Sequence, residues 1–138
     1  MGLDLFLTKL KAEQEIAYYR KANFLIPFFE DISERKVENC VYLPVNQNWI
    51  EELQERCKTL LDLIEVNKLE DEEYKIPKKA IEKAYELLPT QEGFFFGNTD
   101  YDEYYFMKVR NVYESCPAIL EEFDKLEDGE CIAFYIWY

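Results

Sequence analysis

Six aromatic rings and three carboxylates share the thirteen positions of GFFFGNTDYDEYY, residues 93 to 105. Asp100, Asp102 and Glu103 are hard oxygen donors of the kind that hold divalent ions. A calcium loop, however, needs acids at its first, third and fifth positions, a glycine at the sixth and a glutamate at the twelfth. That register fails here, and no metal site is assigned. The same acids suit the start of a helix. Asn98 and Thr99 can act as caps, and Thr99-x-x-Asp102 and Asp100-x-x-Glu103 have capping-box spacing, which sets negative charge at a helix N-terminus. Gly93 and Gly97 would allow tight turns around Phe94, Phe95 and Phe96, with one or two of those rings in the core. Tyr104 falls off the stripe made by Tyr101 and Tyr105, and tyrosine is favoured at protein interfaces. Phe95, Asp100, Asp102, Glu103 and Tyr104 are therefore the candidate partner-binding set.

Other chemistry is sparse. The chain has no histidine, which removes the commonest general base, the commonest metal ligand and every Ser-His or Cys-His pair. No phosphate-cradling glycine loop, dinucleotide fingerprint or nucleophile elbow occurs. Cys40, Cys57, Cys116 and Cys131 lack any C-x-x-C spacing and read as free thiols of a reducing compartment. No catalytic residue and no cofactor are assigned. YYRKAN holds the densest basic-aromatic cluster, and Arg20 with Lys21 could receive a carboxylate or phosphate.

Charge narrows the partners. The formal net charge is −13, and residues 91 to 138 hold 11 acidic against 3 basic side chains. Such a field repels nucleic acid and anionic membranes and attracts a basic protein surface. Direct nucleic-acid binding is not expected, because neutralising phosphates takes clustered Lys and Arg. No apolar run approaches a membrane span. The opening MGLDLFLTKLKAEQE lacks a basic leader and a cleavage site, and Leu7 stands where a myristoylation signal needs Ser or Thr. The expected location is the cytoplasm.

These residues need a scaffold. The 138 residues, 49% hydrophobic and 17% aromatic, suffice for a single domain spanning 1–138 with its own core. Leu3, Leu5 and Leu7 alternate, predicting a strand over 2–9. Ile16, Tyr19, Asn23 and Ile26 recur at helical intervals, predicting a helix from Ala12 through residue 32 that Pro27 kinks or restarts. CVYLPV predicts an edge strand over 41–45. Asn46 or Asn48 then caps a helix whose stripe is Ile50, Leu53, Cys57, Leu60, Leu61 and Ile64. After the acidic connection NKLEDEEYK, Pro77 opens a helix that Pro89 closes. Tyr101, Tyr105, Val109, Val112 and Cys116 mark a further helix, bent or restarted at Pro117. ECIAFYIWY, apolar on both faces, predicts a strand that is central in the sheet, or covered by helices on one side and a partner on the other. The whole reads as α+β: a sheet of about three strands with helices packed on one face.

At MGLDLFL, YYRKAN and ELLPTQEGFFFGNTDYDEYY the chain resembles a family of small, uncharacterised acidic proteins encoded in bacteriophages and in bacterial genomes that carry prophages. The match runs from the first residues to position 105. It brings no activity and no catalytic residues. What the resemblance implies is an inhibitor or modulator of host machinery, in some cases one that presents carboxylates in place of DNA phosphates. The expected function is thus a non-catalytic interaction protein that meets the basic surface of a host nucleic-acid-binding or defence protein. Two alternatives remain: a small divalent-metal-dependent enzyme built on Asp100, Asp102 and Glu103, and a homo-oligomeric structural component, a homodimer paired through the C-terminal strand across a two-fold axis.

Overall fold

Leu5 and Leu7 point to one side of the first strand and Asp4 and Phe6 to the other, and that alternation organises the sheet. The structure is a computed structural model that describes residues 2–11 and 13–138. Strand β1 (Asp4–Leu10) is followed by β2 (Gln14–Arg20), α1 (Leu25–Ser33), β3 (Leu43–Val45), α2 (Gln47–Leu61), a short 3-10 turn (Val66–Lys68), α3 (Lys78–Leu87), α4 (Glu103–Asp124) and β4 (Cys131–Trp137). The four strands run antiparallel in the order β2-β1-β4-β3. The fold is α+β, with one strand more than the sequence predicts.

Register assigns each strand an inner face. Leu5 pairs with Tyr19 and Ile136, Leu7 with Ala17 and Phe134, Leu43 with Phe134, and Val45 with Ile132. All nine side chains are buried. The helices pack on that face: Phe29 of α1 lies 4.3 Å from Phe134 between ring centroids, and α4 meets β2 where the Tyr19 hydroxyl bonds Ser115. α2 lies along α4, its stripe Ile50, Leu53, Cys57 and Leu60 wholly buried, and Asn46 caps it by accepting from the Trp49 amide. Each Ile or Leu of that stripe contributes roughly 1.5–3 kcal/mol by leaving water.

Two expectations are corrected. The helix predicted from Ala12 is instead β2 and the shorter α1, Ala12 itself lying outside the described residues. Ala17 and Tyr19 alternate with the exposed Tyr18 and Arg20, a period of two hidden under the helical spacing of Ile16, Tyr19 and Asn23. Strand β1 needed a partner on its second edge, and β2 supplies it. Of the two outcomes expected at Pro27, a kink or a fresh start near Phe24, the second holds: α1 begins at Leu25 with Phe24 as its cap, and Pro27 sits in the first turn, where a missing N–H costs little. Pro117 does not restart α4, which continues through it as one 22-residue helix with the ring on the exposed side.

The C-terminal strand is central, as one of its two expected placements had it: β4 lies between β1 and β3. Beyond β3, the Cys40 amide donates to the Ile136 carbonyl at 2.8 Å, and Asn39 bonds the main chain of Tyr138. Both edges of β4 are thus occupied within the chain, and the free edges belong to β2 and β3. A homodimer paired edge to edge through β4 has no edge to use. Among the described residues no helix is long and apolar enough to cross a membrane.

Candidate functional site

The loop that carries the aromatic-acidic stretch is pinned from below. Phe96 turns inward, 5% exposed, and packs edge-on against Tyr138 at 4.9 Å. Phe94 and Phe95 stay outside at 83% and 53% exposure, so one ring of the three is in the core. A Cβ at Gly93 would lie 2.5 Å from the Phe96 ring, and Gly97 has φ +89°, so both glycines are required by this turn. The Phe95 carbonyl accepts from the Leu3 amide at 3.0 Å, which ties the loop to the approach of β1.

Beyond the turn, the carboxylates divide by role. The Asn98 side chain accepts from the Asp100 amide, and the Thr99 carbonyl accepts from the Thr90 hydroxyl. α4 begins only at Glu103, so the cap position falls to Asp102, beyond both residues, and its carboxylate accepts from the Tyr105 amide at 3.1 Å. Asp100 and Asp102 border a shallow dent shared with Lys21 and Lys108. Burial lowers the Lys108 pKa, Asp102 opposes that shift and Lys21 adds to it. Glu103 begins the helix on another side, and Tyr104 beside it is 61% exposed. Tyr105, one position on, is buried, with its hydroxyl donating to the Leu88 carbonyl at 2.8 Å.

Glu103 and Tyr104 face the segment after the 3-10 turn. Leu69, Glu70, Asp71, Glu72, Glu103, Tyr104 and Met107 together line a groove of about 230 Å³. Its floor is apolar, Leu69 being buried and Met107 half-buried. Its rim carries four carboxylates and no Lys or Arg. The segment is braced internally: the Asp71 side chain accepts from the Glu73 amide at 2.9 Å, and the Tyr74 hydroxyl accepts from the Glu65 amide at 2.8 Å. The groove can therefore receive a cationic, partly apolar side chain, whose stem would lie on Leu69 and Met107 and whose charge would meet the rim.

The predicted partner-binding set is split by this geometry. Glu103 and Tyr104 share the groove; Asp102 is a cap, Asp100 lies toward Lys21, and Phe95 is on the loop tip. Glu70, Asp71 and Glu72 were read as a solvated connection. Only the packing of Leu69 beneath α4 brings them to Tyr104, and a buried Leu inside an acidic run is the one signal the sequence offered. The proposed anion pair stays together: a Cβ at Gly2 would lie 2.7 Å from Arg20 Nη2 and 3.3 Å from Lys21 Cε, with Arg20 also bonding Asp4 at 3.2 Å and the Lys21 stem passing Gly97.

Elsewhere, a cleft of about 440 Å³ lies between α1, α2 and α3, where Arg56 sits over Phe28 at 5.1 Å and donates to the Leu87 carbonyl. Among the described residues no three His, Cys, Asp or Glu side chains gather with metal-holding geometry. All four cysteines are free thiols. No protein-family model, curated protein or solved structure matches the chain.

Proposed function

We propose that this protein is a non-catalytic binding module that docks a basic segment of a partner protein into the acidic groove beside Tyr104. The observation that carries the reading is the uncompensated rim: four carboxylates around an apolar floor, with an exposed tyrosine as one wall. A lysine or arginine stem fits the floor, its charge meets Glu70, Glu72 and Glu103, and the Tyr104 ring adds a cation–π contact. The net charge of −13 steers such a partner toward the molecule before contact. The family that the sequence resembles suggests a phage-encoded protein acting in the host cytoplasm, with a nucleic-acid-binding or defence protein as the target and its DNA-binding surface as the basic patch.

A lysine-rich and an arginine-rich nonapeptide, titrated by calorimetry at several salt concentrations, test the groove. Binding should weaken as salt rises. The triple substitution Glu70→Gln, Glu72→Gln and Tyr104→Ala should weaken it by roughly tenfold or more, with the melting temperature unchanged. Affinity equal in parent and variant would refute the groove as the docking site.

A further inference from the structure

Among the described residues no helix covers the second face of the sheet, and its middle row is aromatic. Register sets Tyr18 beside Phe6 and Phe6 beside Tyr135. Their ring centroids are 5.2 and 6.1 Å apart, and Tyr42, just ahead of β3, extends the row at 4.6 Å from Tyr135. At the Tyr42 end a hollow of about 170 Å³ opens against Phe6, Tyr42 and Tyr135, with Thr8 beneath and Glu13 and Glu15 at the rim. The Tyr42 hydroxyl donates to Glu13 Oε1 at 3.1 Å, which fixes that ring and carboxylate relative to one another and leaves Oε2 open. Glu15, exposed on the edge strand, makes no ion pair among the described residues, and no Lys or Arg lines the hollow. Lys9, the neighbouring cation of β1, points to the inner side, where it meets Glu122 and Glu130 at 3.8 Å.

We infer that this hollow receives the guanidinium of an arginine presented on the surface of a partner protein. Three rings offer faces to a flat cation, and two carboxylates offer acceptors to its forked N–H groups. An ammonium matches this less well, being a compact and strongly hydrated point charge with no plane to stack. Phosphate-bearing ligands are disfavoured by the two carboxylates. A second copy of this chain is a poor donor, because two molecules of net charge −13 repel each other and Arg20, the arginine on the same face, is held by Asp4 at the opposite end of the strands. A basic partner protein is the occupant that this charge favours. This site is separate from the groove beside Tyr104, and the inference does not depend on that groove being used.

The test is an NMR titration of the isotope-labelled protein with N-acetyl-arginine amide, its neutral citrulline counterpart and N-acetyl-lysine amide. Saturable shifts at Glu13, Glu15, Tyr42 and Tyr135 are expected with the arginine probe, and citrulline should bind roughly tenfold more weakly or worse, since it lacks the charge. Glu15→Gln, at an exposed position with no partner to lose, should weaken arginine several-fold while the spectrum elsewhere stays unchanged; Tyr42→Leu should do the same through the ring. Tyr104→Ala should have no effect. Equal shifts from arginine and citrulline, lysine binding as well as arginine, or loss of the shifts on Tyr104→Ala would each overturn the assignment.

Discussion

The side-chain amide of Asn23 donates to the main-chain carbonyl of Phe96, 73 positions away, at 3.0 Å, and both residues are buried. The same amide reaches the Asn98 carbonyl at 3.2 Å, and its oxygen accepts from the Gln91 amide. One side chain thus satisfies three main-chain groups of the loop that leads into α4. Asn23→Ala would strand a buried carbonyl and loosen the other two contacts, at an expected cost of about 2–4 kcal/mol. Asn23→Asp keeps the acceptor for Gln91 but loses both donors and adds a charge, so it should be no better. Urea denaturation measures the loss, and hydrogen exchange should show residues 91–98 opening ahead of the sheet.

Asp102 and Tyr104, two positions apart, should separate folding from recognition. Asp102→Ala removes the cap of α4 and should cost about 1 kcal/mol. Asp102→Asn, which can still accept from the Tyr105 amide, should recover most of it. Tyr104→Ala should stay within about 0.5 kcal/mol of the parent, because most of its ring is exposed. If Tyr104→Ala instead destabilises as much as Asp102→Ala, the ring belongs to the fold and the groove loses its wall.

How much of this was legible beforehand depended on whether a pattern admitted one period or two. The stripe Ile50, Leu53, Cys57 and Leu60 fits a helix and nothing else, and α2 follows it with Asn46 as cap. By contrast, Ile16, Tyr19 and Asn23 suit a helix, while Ala17 and Tyr19 suit a strand; a long-range event, the pairing with β1, decided between them. Caps failed for a similar reason. Asn98 and Thr99 are good capping residues by type, but the folded loop starts α4 only at Glu103, so Asp102 holds the cap position while the Asn98 side chain accepts from the Asp100 amide. At the candidate site, Tyr104 and Glu103 were visible as exposed and acidic positions. Their groove was not, because its other wall comes from Glu70, Asp71 and Glu72, and only tertiary packing of Leu69 reveals that closeness.

The thiols should differ sharply in reactivity. Burial pushes the Cys116 thiol up to about 12 and the Cys57 thiol well above its ordinary value, so neither forms thiolate near neutral pH. Cys40 is exposed and Cys131 half-buried. Brief treatment with a maleimide at neutral pH should label Cys40 first and Cys131 more slowly, with Cys57 and Cys116 labelled only after unfolding. Peptide mass mapping reads the order. Rapid labelling of Cys57 in the folded protein would show that the α2–α4 interface opens far more than its packing allows.

The same burial predicts a loss of stability in alkali. Tyr19, Tyr105, Cys57 and Cys116 all have raised pKa values, with burial as the first cause in each, so the fold holds them protonated. In the unfolded chain the thiols titrate near 9.0 and the phenols near 10.0. Above those values the folded state binds more protons than the unfolded one, and stability must fall as pH rises, by about 1.4 kcal/mol per pH unit for each group fully inside its window. Lys108 acts oppositely: its lowered pKa makes the unfolded chain the better proton binder below 10.5, which adds stability as pH rises. One half-buried lysine opposes four buried acids, so the net slope is downward. Denaturant midpoints should be level from about pH 7 to 8.5 and decline beyond 9. Cys116→Ala should lower stability at neutral pH by leaving a cavity, yet flatten the decline between 9 and 10 because one titrating group is gone. A parent curve that stays level to pH 11 would mean that water reaches these groups in the folded protein.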